Sequence, residues 1–383
     1  MYITGTASSY SDILTAVLTN CKGTDYTQSV GTGTTTYSGT LSNSPLFAGG
    51  CKLVYILGGD TYRVYDDGLG SFVGDYITAG TINYSTRAYS LTFATNTGDV
   101  EIQYTTGTNG ANWREEINRT AQDSSGTDVT NGAREVILRN AGESGQEDIY
   151  VCLREFSNSG ASFVGLQTLI RTYFNTGNSW WRELLRYTYD ATNNKYKYIP
   201  HISLQNSSMT YWIFSNQNRI IIIVKVAGSI YESMLIGAGY RVSSPVLYDH
   251  PYSALGSCYD TINYTSTSSA HSFIITRNAS YNVIIKPNGY EHAAFNANVY
   301  PYDTYNGIGT PTTSSNGDLV LYPVYLANNT SSYEVYQQLD GVYHVASEGI
   351  QSEDIVTISG VDYLIFQNTF RVDNYNYMAI RKD

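Results

Sequence analysis

Tyr211-Trp212-Ile213-Phe214-Ser215-Asn216-Gln217-Asn218-Arg219-Ile220-Ile221-Ile222-Ile223-Val224-Lys225-Val226 decides the fold class. Two β-prone runs flank the polar tetrad Ser215-Asn216-Gln217-Asn218, the pattern of a hairpin with a four-residue loop. The second arm, Ile220 to Val224 with Val226 beyond Lys225, is β-branched almost throughout. Such a strand offers no polar face to water, so both of its faces are expected to be covered. It is far too short to cross a bilayer. From Ala227 to Tyr252 aromatic and small residues keep surfacing, with no catalytic signature among them. The stretch reads as a rigid β scaffold that works by contact.

The composition points the same way. The 383 residues suit two or three domains, each able to bury a core. The 37 tyrosines outnumber the 22 lysines and arginines together. Tyrosine suits strands and contact surfaces, because it joins a large apolar ring to a polar tip. A net charge of −11, with no basic run longer than Arg381-Lys382, excludes the phosphate-neutralising surface of a nucleic-acid binder. Only 14% of residues are charged, a balance closer to assembly proteins than to soluble cytosolic enzymes. The start, Met1-Tyr2-Ile3-Thr4-Gly5-Thr6, has neither the basic nor the apolar region of a signal peptide. Asn-x-Ser/Thr triplets at Asn83, Asn206 and Asn278 therefore carry little weight. Cys21, Cys51, Cys152 and Cys258 form no CxxC pair, which argues for buried thiols over a zinc site. Cys21 and Cys51 are close enough in sequence to meet within one N-terminal domain, and the disulfide state of all four stays open.

Along the chain, Ser9–Asn20 is the clearest helix, with Ser11 as cap and Ile13, Leu14, Val17 and Leu18 on one face. Strand patterns follow at Leu53–Leu57, Thr61–Tyr65, Gly80–Thr86, Ser90–Phe93 and Val100–Tyr104, with the turn-rich segment Asp66–Asp75 among them. Ala121–Gly132 is polar and reads as a linker. Strands resume at Glu135–Arg139 and Ile149–Leu153, and recur at Ser272–Thr276, Tyr281–Ile285, Leu319–Tyr322, Ile355–Ile358 and Tyr363–Phe366. Tyr302–Asp318 reads as an exposed loop. No fixed-period repeat is present. The expectation is mainly β: two antiparallel β-sandwich-like domains, 1–125 with a short leading helix and 130–383.

No motif carries chemistry. Gly68-x-Gly70-x-x-x-Gly74 precedes a strand-like segment where a dinucleotide loop needs a helix, so a turn explains it better. Asp66, Asp67 and Asp75 are oxygen ligands suited to calcium, but their spacing misses the EF-hand pattern and Asx turns account for them. His201, His250, His271, His292 and His344 form no HxH or HxxxH pair, and the neighbours Asp249-His250 and Glu291-His292 lack a nucleophile motif. No catalytic residue, metal ligand or cofactor site is assigned. Trp180, Trp181, Tyr302 and Tyr305 are the candidate interface or ligand aromatics, suited to anchoring a protein contact or stacking on a sugar.

Several segments together resemble a family of virion structural proteins of tailed bacteriophages, associated with contractile tails and baseplates. They are Thr4–Ser8 leading into Asp12–Leu14, and Gly80–Thr86 followed by Leu91–Phe93 and Gly98–Val100. Further on come Glu135–Leu138 with Glu147–Val151, the opening hairpin continuing into Val226–Ser233, and Leu339–Val345, Glu353-Asp354 and Phe366–Arg371. The segments occur in the family's order over most of the chain. The family's glycine after Thr86 is Arg87 here, and Phe163–Thr176 departs from the pattern. The resemblance implies a non-enzymatic tail component, first of all of the baseplate, assembled in the host cytoplasm into the virion. It implies as partners other tail proteins and copies of the chain, with no nucleic acid and no membrane insertion. A glycan- or receptor-binding module, with host glycan as ligand, and a neck or head-decorating protein are the alternatives.

Overall fold

Arg219–Ala227 is strand β17, and its side chains alternate between two cores. Ile220, Ile222, Val224 and Val226 enter one, and Ile221 and Ile223 enter the other. All six are buried, each contributing about 1.5–3 kcal/mol. The strand is thus covered on both faces, as its composition requires. The computed structural model describes residues 1–107, 113–122, 127–128, 134–140, 149–157, 164–171, 189–190, 195–196, 200–202, 208–216, 218–227, 230–240, 252–256, 283–285, 292–294, 297–300, 319–328, 335–346, 349–367 and 377–382. The protein is mainly β, built of antiparallel sheets with one helix.

In chain order the first elements are β1 (Tyr2–Ala7), α1 (Tyr10–Cys21), β2 (Thr24–Gly31), β3 (Thr36–Thr40), β4 (Leu46–Leu57), β5 (Asp60–Tyr65), β6 (Ile77–Ile82), β7 (Ala88–Phe93) and β8 (Val100–Thr106). Next come β9 (Arg114–Thr120), β10 (Arg134–Asn140), β11 (Ile149–Ser157), β12 (Val164–Arg171), β13 (Tyr189–Asp190), β14 (Lys195–Tyr196), β15 (His201–Ile202) and β16 (Met209–Ser215). Beyond β17 lie β18 (Ile230–Ala238), β19 (Tyr252–Gly256), β20 (Val283–Ile285), β21 (His292–Ala294), β22 (Ala297–Tyr300) and β23 (Val320–Asn328). The chain ends with β24 (Val335–Ala346), β25 (Ile355–Ile358), β26 (Val361–Gln367) and β27 (Tyr377–Arg381).

The central sheet has the order β1-β16-β17-β18-β19-β20-β21. Its first core is shared with α1 and the sheet β15-β12-β11-β10-β9, and its second with the outer sheet β22-β23-β24-β27-β26-β25. Three layers result, with β17 in the middle one. The 216–219 loop closes below the pair Ser215↔Ile220, where Asn216 Oδ1 accepts from the backbone N–H of Asn218 at 2.8 Å and of Arg219 at 2.9 Å. A small sandwich of β2-β8-β4-β5 on β3-β7-β6 has its own core, including Leu53, Tyr55, Leu91, Phe93 and Ile102.

The boundary expected at 125–130 does not divide these cores. β1 pairs with β16, and the buried face of α1 (Ile13, Leu14, Val17, Leu18) joins the core of residues 113–254. Residues 24–106 are thus inserted between α1 and β9. The physical reason is that α1, too short to persist alone, docks where a large apolar face exists. Its cap is Ser9 and not Ser11. Asp12 N–H donates to Ser9 Oγ at 3.1 Å and Ser9 N–H to Asp12 Oδ2 at 3.0 Å, a reciprocal capping box. The strand expected over Gly80–Thr86 ends at Ile82, because Asn83 Oδ1 accepts from the N–H groups of Ser85 and Thr86 and turns the chain. Arg87 closes that turn at φ +65°, the region that favours the glycine of the resembled family. Cys21 and Cys51 lie in different cores, and both are buried thiols outside any disulfide. Burial pushes the Cys21 thiol up to about 12, so it stays protonated and inert. Of the linker Ala121–Gly132, the described Gln122 and Asp128 bridge each other.

Candidate functional site

The segment Asp66–Tyr76 is a rigid loop with an apolar outer surface. Asp66 is buried, and its Oδ1 accepts from Gly49 N at 2.7 Å, Gly68 N at 3.1 Å and the Tyr84 hydroxyl, while Oδ2 accepts from Cys51 N at 2.7 Å. Burial pushes the Asp66 carboxyl above its ordinary value, opposed by these donors. Asp67 Oδ1 accepts from Leu69 N and Ser71 N, both at 2.8 Å. Gly68 and Gly70 take φ +76° and +94°, and a Cβ at Gly70 would sit 2.6 Å from the Ile82 carbonyl oxygen. The glycines are therefore turn residues, as the sequence suggests. Phe72 anchors the segment in the small core.

With its inner side fixed, the segment turns Leu69, Val73 and Tyr76 outward at 61%, 77% and 49% exposure. Tyr76 adopts φ +63°, a conformation bulky residues avoid. Its ring meets that of Tyr62 edge-on at 5.4 Å, and Tyr62 stacks on Tyr55 at 5.3 Å. Tyr55 donates its hydroxyl to the Asp75 carbonyl, and burial with the Asp75 charge pushes it up to about 12. Two further large apolar residues are exposed among the described ones, Tyr240 at 47% and Ile355 at 56%. Tyr240 has a polar reason, since its hydroxyl donates to Asp340 Oδ1 at 2.7 Å. Ile355 lies on the edge strand β25.

The buried charges join layers. Asp340 on β24 accepts from Arg219 Nε at 3.1 Å, Asn216 Nδ2 at 2.8 Å, Tyr240 at 2.7 Å and an Arg381 guanidinium nitrogen at 3.2 Å. Burial alone would raise its carboxyl; Arg219, the hydrogen bonds and Arg381 hold it below the usual range. Gly341, at φ +63°, leaves the space this needs, because a Cβ there would stand 2.4 Å from the Arg219 guanidinium. A second row crosses the β15–β9 sheet in register: Arg119↔Glu135↔Arg154↔Gln167↔His201. Glu135 takes both Arg119 Nε at 3.1 Å and a terminal nitrogen at 3.0 Å on one oxygen. At the central–outer boundary, Lys225 Nζ at 2.7 Å and the Tyr231 hydroxyl both donate to Glu353 Oε1. Arg139 spans to the small sandwich, donating to the Gly49 carbonyl at 2.9 Å and lying 3.7 Å over the Tyr65 ring.

The candidate aromatics Trp180, Trp181, Tyr302 and Tyr305 lie outside the described residues. Asp66 and Asp67 serve as turn acceptors, and among the described residues no group of three or more His, Cys, Asp and Glu is placed to hold a metal ion. The sequence reading missed the Asp340 clamp and the buried row. The charges that flank the apolar centre of Arg134-Glu135-Val136-Ile137-Leu138-Arg139 are the one local hint of the row, and nothing local links Arg219 to Asp340. No known family model and no curated protein matches the chain. No described helix is long and apolar enough to cross a membrane.

Proposed function

We propose that this chain is a non-enzymatic structural component of a bacteriophage tail, placed in the baseplate and present in several copies, that works through protein–protein contact. Its partners are other tail or baseplate proteins and copies of itself. The observation that carries the reading is the pinned segment Leu69–Tyr76. Singly exposed apolar residues are ordinary, but three on one rigid segment form a surface suited to an interface core. Its rigidity lowers the entropic cost of docking, because little is left to order. The central and outer sheets, tied by the Asp340 clamp, suit a part that must transmit force without deforming.

The test uses virions of a phage that encodes the chain. Mass spectrometry should find the chain in purified particles, and cryo-EM should place its density in the tail. A Leu69→Ser/Val73→Ser/Tyr76→Ser variant should keep the wild-type circular dichroism and be excluded from tails. Absence of the wild-type chain from particles, or full incorporation of the variant, would sink the proposal.

A further inference from the structure

The outer sheet ends at β25, Ile355-Val356-Thr357-Ile358, which pairs only with β26 among the described strands. Three other edges are guarded: β5 carries Asp60 and Arg63, β9 is charged along Arg114-Glu115-Glu116, and β6 is bulged between Ile77 and Ala79. β25 has no charge, proline or bulge, and Ile355 and Thr357 are exposed. Its pairing fixes which backbone groups are free. The two-residue turn at Ser359-Gly360, with φ +51° and +81°, makes Ile358↔Val361 a hydrogen-bonded pair, and every second pair, such as Val356↔Tyr363, follows. The N–H and C=O of Ile355 and Thr357 therefore point to the open side. The outer sheet face is apolar up to this edge, with Val356, Ile358 and Val361 packed on the core that holds Tyr363 and Ile365.

We propose that β25 pairs antiparallel with β25 of a second copy of this chain, about a two-fold axis through Thr357, so that the outer sheets of two copies become one. Directly opposite residues must share a face and a hydrogen-bonding direction, a condition met with Thr357 opposite the second copy's Thr357 as a closed hydrogen-bonded pair, the register that keeps Asp354 clear of the second copy's apolar Ile358. Val356 then stands opposite the second copy's Ile358, and the apolar outer face runs unbroken across the junction. Ile355 falls opposite the second copy's Ser359. The acids Glu353 and Asp354 fall beside or beyond the second copy's Ser359-Gly360 turn, where its chain folds back and carries no acid, so two chains of charge −11 meet without opposed carboxylates. This self-complementarity is what favours a second copy over a foreign strand. The inference deepens the assembly reading above, but it is decided on the purified chain, whether or not the chain is found in virions.

Two cysteine variants test the register under mild oxidation, with the wild-type chain as control for its own thiols. Thr357→Cys places the two α-carbons about 5.5 Å apart, within disulfide range. Ile355→Cys places them about 13–14 Å apart, four residues along the strands and out of range. A reducible dimer from Thr357→Cys and none from Ile355→Cys is the expected result. Thr357→Pro removes an N–H that faces away from β26 together with the Thr357 hydroxyl's 2.6 Å bond to Asp362 Oδ1, so Thr357→Val serves as the control for that bond: sedimentation should show a dimer for Thr357→Val and a monomer for Thr357→Pro. A wild-type chain that sediments as a monomer at tens of micromolar, equal cross-linking at both positions, or a dimer indifferent to a folded Thr357→Pro variant would overturn the proposal.

Discussion

Removing the Asp340 carboxylate should cost the three-layer unit more than any single apolar truncation on its surface. Asp340 is almost fully buried and takes four donors, two of them guanidinium groups. The two arginines differ. The Arg381 side chain is 27% exposed and can turn to water, whereas that of Arg219 is wholly buried and loses its counter-charge where no water can replace it. Breaking one side of a buried ion pair costs about 3–5 kcal/mol, so Asp340→Ala should lose about that much. Arg219→Met paired with Asp340→Ala removes both charges and should recover at least about 1 kcal/mol relative to the sum of the single losses. Urea unfolding followed by tryptophan fluorescence reads this, since Trp212 lies in the core shared by the central and outer sheets. A loss under about 1 kcal/mol for Asp340→Ala, or strict additivity in the cycle, would refute the reasoning.

Three further outcomes follow from the same geometry. Ile221→Ala and Ile222→Ala should each cost about 2–5 kcal/mol by urea midpoint, because the two side chains enter different cores; a cheap Ile221→Ala would mean the outer sheet does not cover that face. Ser9→Ala should cost about 1 kcal/mol in a thermal melt and Ser11→Ala less than about 0.5, since only Ser9 caps α1. The pH profile should carry the sign of Asp340. With its folded pKa depressed, its stabilisation is complete above the ordinary carboxylate value near 3.9 and fades as pH falls through the lower folded value. Asp340→Asn should therefore flatten the acid limb of urea midpoints measured from neutrality downward. A variant limb as steep as wild type would exclude this carboxyl as a cause.

How much of the fold the sequence discloses depends on whether the signal is local. The apolar run at 220–224 names a strand with two covered faces because no alternating polar residue could face water there. The buried face of α1 is equally readable from Ile13, Leu14, Val17 and Leu18. Its cap slips by two residues because Ser9 and Ser11 are both good caps, and only the reciprocal bond to Asp12 separates them. The insertion of 24–106 cannot be read locally. It depends on Tyr2–Ala7 pairing with Met209–Phe214, two segments some two hundred residues apart, and β1 contains a glycine and two threonines that announce no strand. Trp113, whose indole N–H donates to the Asn216 carbonyl at 2.9 Å, belongs to the larger unit for the same long-range reason.

For the proposed contact surface, the sequence points to a kind of surface without locating it. Tyrosine excess and low charge suggest broad contacts, yet many described tyrosines are spent inside: Tyr10, Tyr55 and Tyr104 are fully buried. What distinguishes an outward-facing apolar residue is the fixing of its backbone, and that is decided by partners far off in sequence. Asp66 holds its loop by reaching Gly49, Cys51 and Tyr84, so Leu69, Val73 and Tyr76 cannot fold back into the core. Ile355 is held outward by the turn at Ser359-Gly360 and by its pairing with Leu364. At the first place the chain spends buried hydrogen bonds, and at the second a turn of positive φ, to keep apolar side chains in water, an arrangement that the proposed contact role would use.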